Sequence, residues 1–282
     1  MSENGMTGFG ELFANLPDIW LSKQEIREGD WFEGDILYCG KCRQPRRGIQ
    51  NFMGKDRLVT LSCDCEKEAA ERERLAEIVK KNREVCGMDA LAMSHTFGTF
   101  QITEANAKQH RLAVRYCESF SEMLAENQGL VFYGDVGTGK TYLMECIGNA
   151  VLEKGYSVHS TSFNDLLKVV SGFNSEVDEE AYIRRICGPS LLLVDDLGTE
   201  RSSDFALEKV YNAVNSRSRV CKPTIYTTNL PLQMMLEPEN IRYKRIYDRI
   251  LETCTPIEFK GASWRKRSAG GRFNKIKQMM EE

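Results

Sequence analysis

Eight consecutive residues, Gly134-Asp135-Val136-Gly137-Thr138-Gly139-Lys140-Thr141, fit the spacing G-x-x-x-x-G-K-[ST]. The chemistry open to such a run is phosphate binding. Glycines let successive backbone N–H groups curl around an anion without Cβ clashes. A helix starting there adds the partial positive charge of its N-terminus. Lys140 then reaches β- and γ-phosphates, and the Thr141 hydroxyl can ligate Mg2+. Further along, Leu191-Leu192-Leu193-Val194 is an apolar run that ends in Asp195-Asp196. A buried strand delivers its last residues to the carboxyl edge of a sheet, where ligands bind in open α/β folds. Asp195 there would hold Mg2+ through water, and Asp196 would polarise an attacking water. The competing interpretation is a solvated turn, because Asp-Asp-Leu-Gly is also good turn chemistry. The phosphate loop upstream favours the metal site. Asn229 follows a further strand-like run, Ile225-Tyr226-Thr227-Thr228. In a parallel sheet its amide lies beside the acidic strand and can orient water against the γ-phosphate. On its own it would be a turn-initiating Asn before Leu230-Pro231.

A second constellation lies near the N-terminus. Cys39-Gly40-Lys41-Cys42 and Cys63-Asp64-Cys65 are two close pairs about twenty residues apart. Two such pairs suit a tetrahedral zinc site with four thiolate ligands, and Gly40 permits the tight turn around the metal. The segment has few large apolar residues, so bound zinc would supply the missing folding energy. The alternatives are free cysteines or a redox pair at Cys39 and Cys42, but no thioredoxin-like βαβ pattern surrounds them. Cys86, Cys117, Cys146, Cys187, Cys221 and Cys254 have no spaced partners and are expected in the core or incidental.

The elements that must position these residues are legible in outline. Before about Cys65 the chain is irregular. Glu66 to Val85 is free of Gly and Pro and predicts a polar helix with Leu75, Ile78 and Val79 as a narrow apolar stripe. It is either a solvated linker or a partner-binding helix. From about Met93, strand-length apolar runs alternate with helical patterns. Strands are predicted at Leu130–Tyr133, Tyr156–Ser160, Leu191–Val194, Pro223–Thr227 and Pro256–Phe259, and helices at Thr141–Leu152 and Phe205–Val220. That alternation predicts an α/β domain with a mainly parallel sheet.

The chain has 282 residues, enough for about two domains. Its 38 Lys+Arg against 41 Asp+Glu give a net charge of −3, which excludes a uniformly cationic coat for nucleic acid. The distribution is less even. Lys260, Arg265, Lys266, Arg267, Arg272, Lys275 and Lys277 follow one another with no intervening acid. They form either a solvated tail or a phosphate-contacting one, with Trp264 or Phe273 available to stack on a base. The first twenty residues carry Glu3, Glu11 and Asp18 rather than a basic and then apolar block. No secretory signal is therefore expected; nowhere do ~18 apolar residues run together, so no membrane span is expected either, and a cytoplasmic location follows.

Taken together, Gly134–Thr141, Leu191–Glu200 and Thr227–Asn229 resemble the Walker A, Walker B and sensor 1 motifs of AAA+ ATPases. The wording Asp195-Asp196-Leu197-Gly198-Thr199-Glu200, followed by Thr227-Thr228-Asn229-Leu230, resembles the DnaC/DnaI helicase loaders. Arg245-Ile-Tyr-Asp-Arg249 and Gly261-Ala-Ser-Trp-Arg265 are similar to that family's arginine-finger and sensor 2 segments. The resemblance spans about Phe97 to Arg265. It implies an AAA+ P-loop core that binds and hydrolyses ATP with Mg2+. Lys140, Thr141 and Asp195 would hold phosphate and metal, and Asp196 would be the water-activating acid. Asn229 would sense the γ-phosphate, and Arg265 would touch the nucleotide in cis. Arg245 or Arg249 would reach a neighbouring subunit's nucleotide. Asp196 stands where many of the superfamily carry Glu, which implies slower hydrolysis. His95 to Phe100 resembles the stretch lining the adenine pocket, although core phenylalanines are an equal reading. The organisation implied is a zinc-binding helicase-interaction domain (1–65), a helical linker (66–92) and an ATPase domain with a short basic tail (93–282). The implied partners are a hexameric replicative helicase, single-stranded DNA, touched in part by Phe163 to Ile186, and further copies of the chain. Two other functions share these features: an IstB-like transposition helper, and an ATP-binding adaptor with little turnover.

Overall fold

The computed structural model describes residues 26–52, 54–170, 179–198, 204–266 and 279–280. Contacts divide the chain into two compact units, with the boundary between Leu75 and Ala76. No helix among the described residues is long and apolar enough to cross a membrane.

The N-terminal unit contains two antiparallel ribbons, β1 (Trp31–Glu33) with β2 (Ile36–Tyr38) and β3 (Arg47–Phe52) with β4 (Lys55–Thr60). The sequence predicted irregular chain here. The strands are short, and β4 opens on Lys55-Asp56-Arg57, so no apolar alternation announces them. The buried interior is small and centres on Leu37, Cys39 and Cys63. Arg46, only 2% exposed, sits inside it and pairs with both Asp30 and Glu66 (Nη2 to Oε1, 2.7 Å). Buried charge is tolerated only when paired and hydrogen-bonded. Glu66 in turn accepts the Cys63 backbone N–H through Oε2 at 3.2 Å, half of a capping box. That bond sets the start of helix α1 (Asp64–Val85), which carries Cys65 in its first turn. Along α1 the expected stripe is thin, because Leu75 and Ile78 are exposed and Val79 is buried.

The larger unit is a five-stranded parallel sheet ordered β6-β7-β8-β5-β9. Its strands are β5 (Gly129–Gly134), β6 (Val158–Ser162), β7 (Leu191–Asp195), β8 (Thr224–Thr228) and β9 (Cys254–Phe259). Successive side chains point to opposite faces, and both faces are covered. Leu130, Phe132, Leu191, Leu193 and Ile225 pack into one layer with α3 (Ala107–Glu118), α4 (Phe120–Ala125) and α5 (Lys140–Glu153). Val131, Leu192, Val194 and Tyr226 pack into the other. That second layer holds α6 (Phe163–Val170), α7 (Glu179–Cys187), α8 (Asp204–Arg219), α9 (Leu232–Leu236) and α10 (Ile241–Thr253). Burial on both faces is why β5 and β7 read as near-continuous apolar runs. A short helix α2 (Ala90–Ser94), capped by the Asp89 side chain accepting from Ala92 N at 2.8 Å, precedes the core.

One buried cation locks the strands that carry the acids. Arg217, 2% exposed, donates to the carbonyls of Ile186, Cys187, Pro189 and Pro223 at 2.7–3.2 Å. These carbonyls lie just ahead of β7 and β8, so their relative register is held at the end away from the acids. Burial lowers the Arg217 pKa to about 10, which leaves it charged at neutral pH. Of the unspaced cysteines, Cys86, Cys117, Cys146 and Cys254 are buried, Cys187 is half-buried and Cys221 is exposed.

Candidate nucleotide site and cysteine cluster

The loop 134–141 leaves the end of β5 and enters α5. Two of its glycines are required by contacts. Gly134 has φ +127, and a Cβ there would lie 2.1 Å from the Phe259 carbonyl oxygen on the neighbouring β9. Gly137 has φ +78, and a Cβ there would lie 2.2 Å from Ser263 Oγ. The Gly137 carbonyl accepts the Trp264 N–H at 2.8 Å, which brings Arg265 to the loop. Thr138 donates back to the Asp135 carbonyl at 2.8 Å.

Lys140 Nζ donates to the Gly134 and Asp135 carbonyls at 2.8 and 2.7 Å and to Asn229 Oδ1 at 2.9 Å. Burial holds its ammonium below the usual lysine range, against the pull of Asp196, Asp135 and Asp195. Thr141 Oγ1 donates to Asp195 Oδ1 at 2.9 Å. Asp196 follows at φ +54. Its carboxyl is raised above the usual range by burial and by Asp195, while Arg265 and Lys140 oppose the rise. Asn229, two residues past Thr227 on the strand next to β7, lies where the parallel-sheet expectation put it.

A cleft of about 610 Å³ opens over the loop. Val136, Gly137, Gly139, Lys140, Thr141, Asp196, Asn229 and Arg265 all line it. The structure therefore brings Lys140, Thr141, Asp196, Asn229 and Arg265 together at one cleft. The cleft has room for a nucleotide, and Thr141 with Asp195 forms an oxygen pair fit for Mg2+. His95, Thr99 and Phe100 line the cleft, whereas Phe97 packs on the core and meets His110 edge-on at 5.5 Å between ring centroids. Phe100 belongs to the core layer as well, at 9% exposed, so it packs on the core and edges the cleft at once. Trp264, suggested as a base-stacking residue of the tail, also lines the cleft. Sequence reasoning missed Tyr142 and Glu145, which line the cleft from α5. His95 stacks on Tyr142 at 3.8 Å and meets Glu145 Oε2 through Nδ1 at 2.5 Å. No spacing rule marks such a pair, since its members are fifty residues apart.

Arg245 and Arg249 lie apart, on α10. Arg245 is exposed and sits 4.2 Å over the Tyr211 ring, while Arg249 pairs with Glu252 at 2.5 Å. Neither lines the cleft. Of the basic run, Arg267, Arg272, Lys275 and Lys277 lie outside the described residues, as do Phe273, Thr199 and Glu200. In the Phe163 to Ile186 segment, the described helices α6 and α7 bury Phe163, Leu166, Leu167, Tyr182 and Ile186.

In the N-terminal unit, Cys39, Cys42, Cys63 and Cys65 converge with all sulfurs within 4.8 Å of one another. Cys65 Sγ lies 3.4, 3.5 and 3.3 Å from those of Cys39, Cys42 and Cys63. None is in a disulfide. A tetrahedral ion with ~2.3 Å Zn–S bonds needs sulfurs ~3.8 Å apart, so the four could hold zinc with small shifts. The backbone N–H groups of Cys42 and Lys41 pull the Cys39 thiol down, whereas the crowding sulfurs of Cys63 and Cys39 push the Cys65 thiol up.

Compared with known proteins, residues 56–270 match the family described as IstB-like ATP binding protein. The chain belongs to the IstB-like ATP-binding protein family. This IstB-like protein is 26% identical over 211 residues to the replicative helicase loader DnaC of Buchnera aphidicola subsp. Schizaphis graminum. That match covers 73% of the chain and 83% of the loader. It is also 26% identical over 179 residues to Rv3427c of Mycobacterium tuberculosis, a protein named for an insertion sequence, covering 63% of this chain and 70% of that one. In fold it is similar to the crystal structure of DnaI, with a TM-score of 0.54 and 24% identity, over 61% of this chain and 95% of that one. The AAA+ type of α/β core anticipated from the motifs is thus the fold of this IstB-like protein.

Proposed function

We propose that this IstB-like protein is an ATP-hydrolysing helicase loader of DNA replication. The observation that carries it is the convergence of Lys140, Thr141, Asp196, Asn229 and Arg265 on one cleft, with Asp195 bonded to Thr141. The backbone N–H groups of the loop, with Lys140 and Arg265, would hold the phosphates of ATP. Thr141 and Asp195 would hold Mg2+, which offsets charge building on the phosphates. Asp196 would take the proton of the attacking water, and Asn229 would position that water while holding Lys140. A finger supplied from a neighbouring copy is worth ~10³–10⁵ in rate for NTPases. Arg245 suits that role better than Arg249, because it is exposed and stacked on an aromatic face, whereas Arg249 is neutralised by Glu252. Residues 1–65 would form a zinc-stapled head that grips the hexameric replicative helicase, 66–92 a helical linker, and 93–282 the ATPase domain. The ATPase domain would assemble with further copies along single-stranded DNA, in a cytoplasmic setting.

The DnaC relatives support this reading. The insertion-sequence relative supports a second one, a transposition helper working with a transposase. Co-purification with the cell's replicative helicase, with zinc measured on the same sample, separates them. A stable, zinc-bearing complex with the helicase is the expected result. Failure to bind it, together with capture of a cognate transposase, would favour the second.

A further inference from the structure

Thr227 occupies a position where composition alone would favour valine. It is 1% exposed, in a central strand beside Ile225 and Tyr226. A buried hydroxyl costs free energy unless it is hydrogen-bonded. Both partners of this hydroxyl lie in the acidic turn: it donates to Asp195 Oδ1 and accepts the Asp196 N–H at 3.1 Å. The neighbouring backbone and side chain complete the clamp. The Thr227 carbonyl accepts the Leu197 N–H at 2.8 Å, and Thr228 Oγ1 donates to the Leu197 carbonyl at 2.7 Å. Asp196 meanwhile holds φ +54, a region that L-residues other than Asn and Asp seldom occupy. The turn that aims both carboxylates at the cleft is therefore pinned from the adjacent strand.

We infer that Thr227 is a positioning residue for the metal-holding acid Asp195 and the water-activating acid Asp196. Thr141 also donates to Asp195, but Thr141 is itself a candidate Mg2+ ligand. Thr227 is the donor that remains when the Thr141 oxygen turns to metal. Two residues further on, Asn229 holds Lys140 at 2.9 Å. One strand thus sets the acid, the turn behind it and the phosphate lysine in common register. The inference rests on the ATPase reading above.

The test compares full-length wild type with T227V, which keeps the shape and removes the hydroxyl, and T227S, which keeps the hydroxyl. Binding of a fluorescent ATP analogue is measured in EDTA and then against rising Mg2+, with phosphate release in parallel. Removing such an orienting partner typically costs about 10- to 100-fold in metal affinity or activity. T227V should bind the analogue in EDTA within about twofold of wild type, need about 10- to 100-fold more Mg2+ at half-effect and hydrolyse correspondingly slowly. T227S should restore the wild-type Mg2+ midpoint, which a general packing defect would not allow. A wild-type midpoint in T227V, or a shifted one in T227S, overturns the inference. Should T227V not fold, T227C fills similar space with a weak donor, must shift the midpoint in the same direction, and overturns the inference if it does not. Failure of the ATPase reading itself would show separately, as no Mg2+-dependent binding in wild type, and would take the inference with it.

Discussion

Replacing Gly137 by alanine tests how the phosphate loop is built. Gly137 sits at φ +78, where an L-residue is disfavoured by roughly 1–2 kcal/mol. The new methyl would also meet Ser263 Oγ at 2.2 Å and Ser263 Cβ at 3.1 Å, so the 263–265 segment must move away. That movement costs the Trp264 N–H bond to the Gly137 carbonyl, worth about 0.5–1.5 kcal/mol, and withdraws Arg265 from the cleft. The loop is open to solvent, with Val136 56% exposed, so the free protein relaxes locally and bound ATP must reverse the relaxation. The sum, about 1.5–3.5 kcal/mol, corresponds to about 10- to 300-fold weaker binding at 1.4 kcal/mol per decade. The assay is titration of a fluorescent ATP analogue into G137A, S263G and the double variant. G137A/S263G removes the clash and keeps the backbone strain, so it should recover part of the loss and no more. Wild-type affinity in G137A, or no recovery in the double variant, would refute the packing of 263–265 on the loop.

Other outcomes follow from the same geometry. Purified protein should carry one zinc per chain, and C63S should lose it and expose the head to protease while ATP affinity stays as in wild type. A C63S protein that keeps its zinc would contradict the four-sulfur site. Asp196 has its pKa raised in the folded state, so ionised Asp196 opposes folding at neutral pH, and that penalty fades as pH falls through the folded value. D196N should therefore melt no lower than wild type at pH 7 while releasing phosphate ~10²–10⁴-fold more slowly; a clear drop in Tm would contradict the assignment. R217M strands buried carbonyls ahead of β7 and β8 and should lower urea-unfolding stability by about 3–5 kcal/mol. An unchanged midpoint would show that those carbonyls find other partners.

Much of the core was legible because one physical rule dominated each part. Strands buried on both faces leave apolar runs, and the phosphate loop needs glycines at fixed places. The two together bring Lys140, Thr141, Asp195 and Asn229 to one edge of a parallel sheet. The N-terminal ribbons were not legible, because strands such as Lys55-Asp56-Arg57-Leu58 bury little and carry no period. No spacing rule marks the buried Arg46 with Asp30 and Glu66, because the three meet only in the folded unit. Thr227 lay inside a quoted motif, yet its two bonds to the acidic turn depend on strand order. Tyr142, Glu145 and His95 meet only through tertiary packing. The spacing of Cys39, Cys42, Cys63 and Cys65 suggested a shared site, and the structure brings their sulfurs together.

The most direct test of ATP-controlled helicase loading is transfer of the replicative helicase onto a closed single-stranded DNA circle. Helicase retained on the circle is counted with wild type, with K140A and with ATP omitted. Wild type with ATP should load helicase, and both K140A and the ATP-free reaction should leave the circle near background. Equal loading in all three, or none with wild type, would contradict the account.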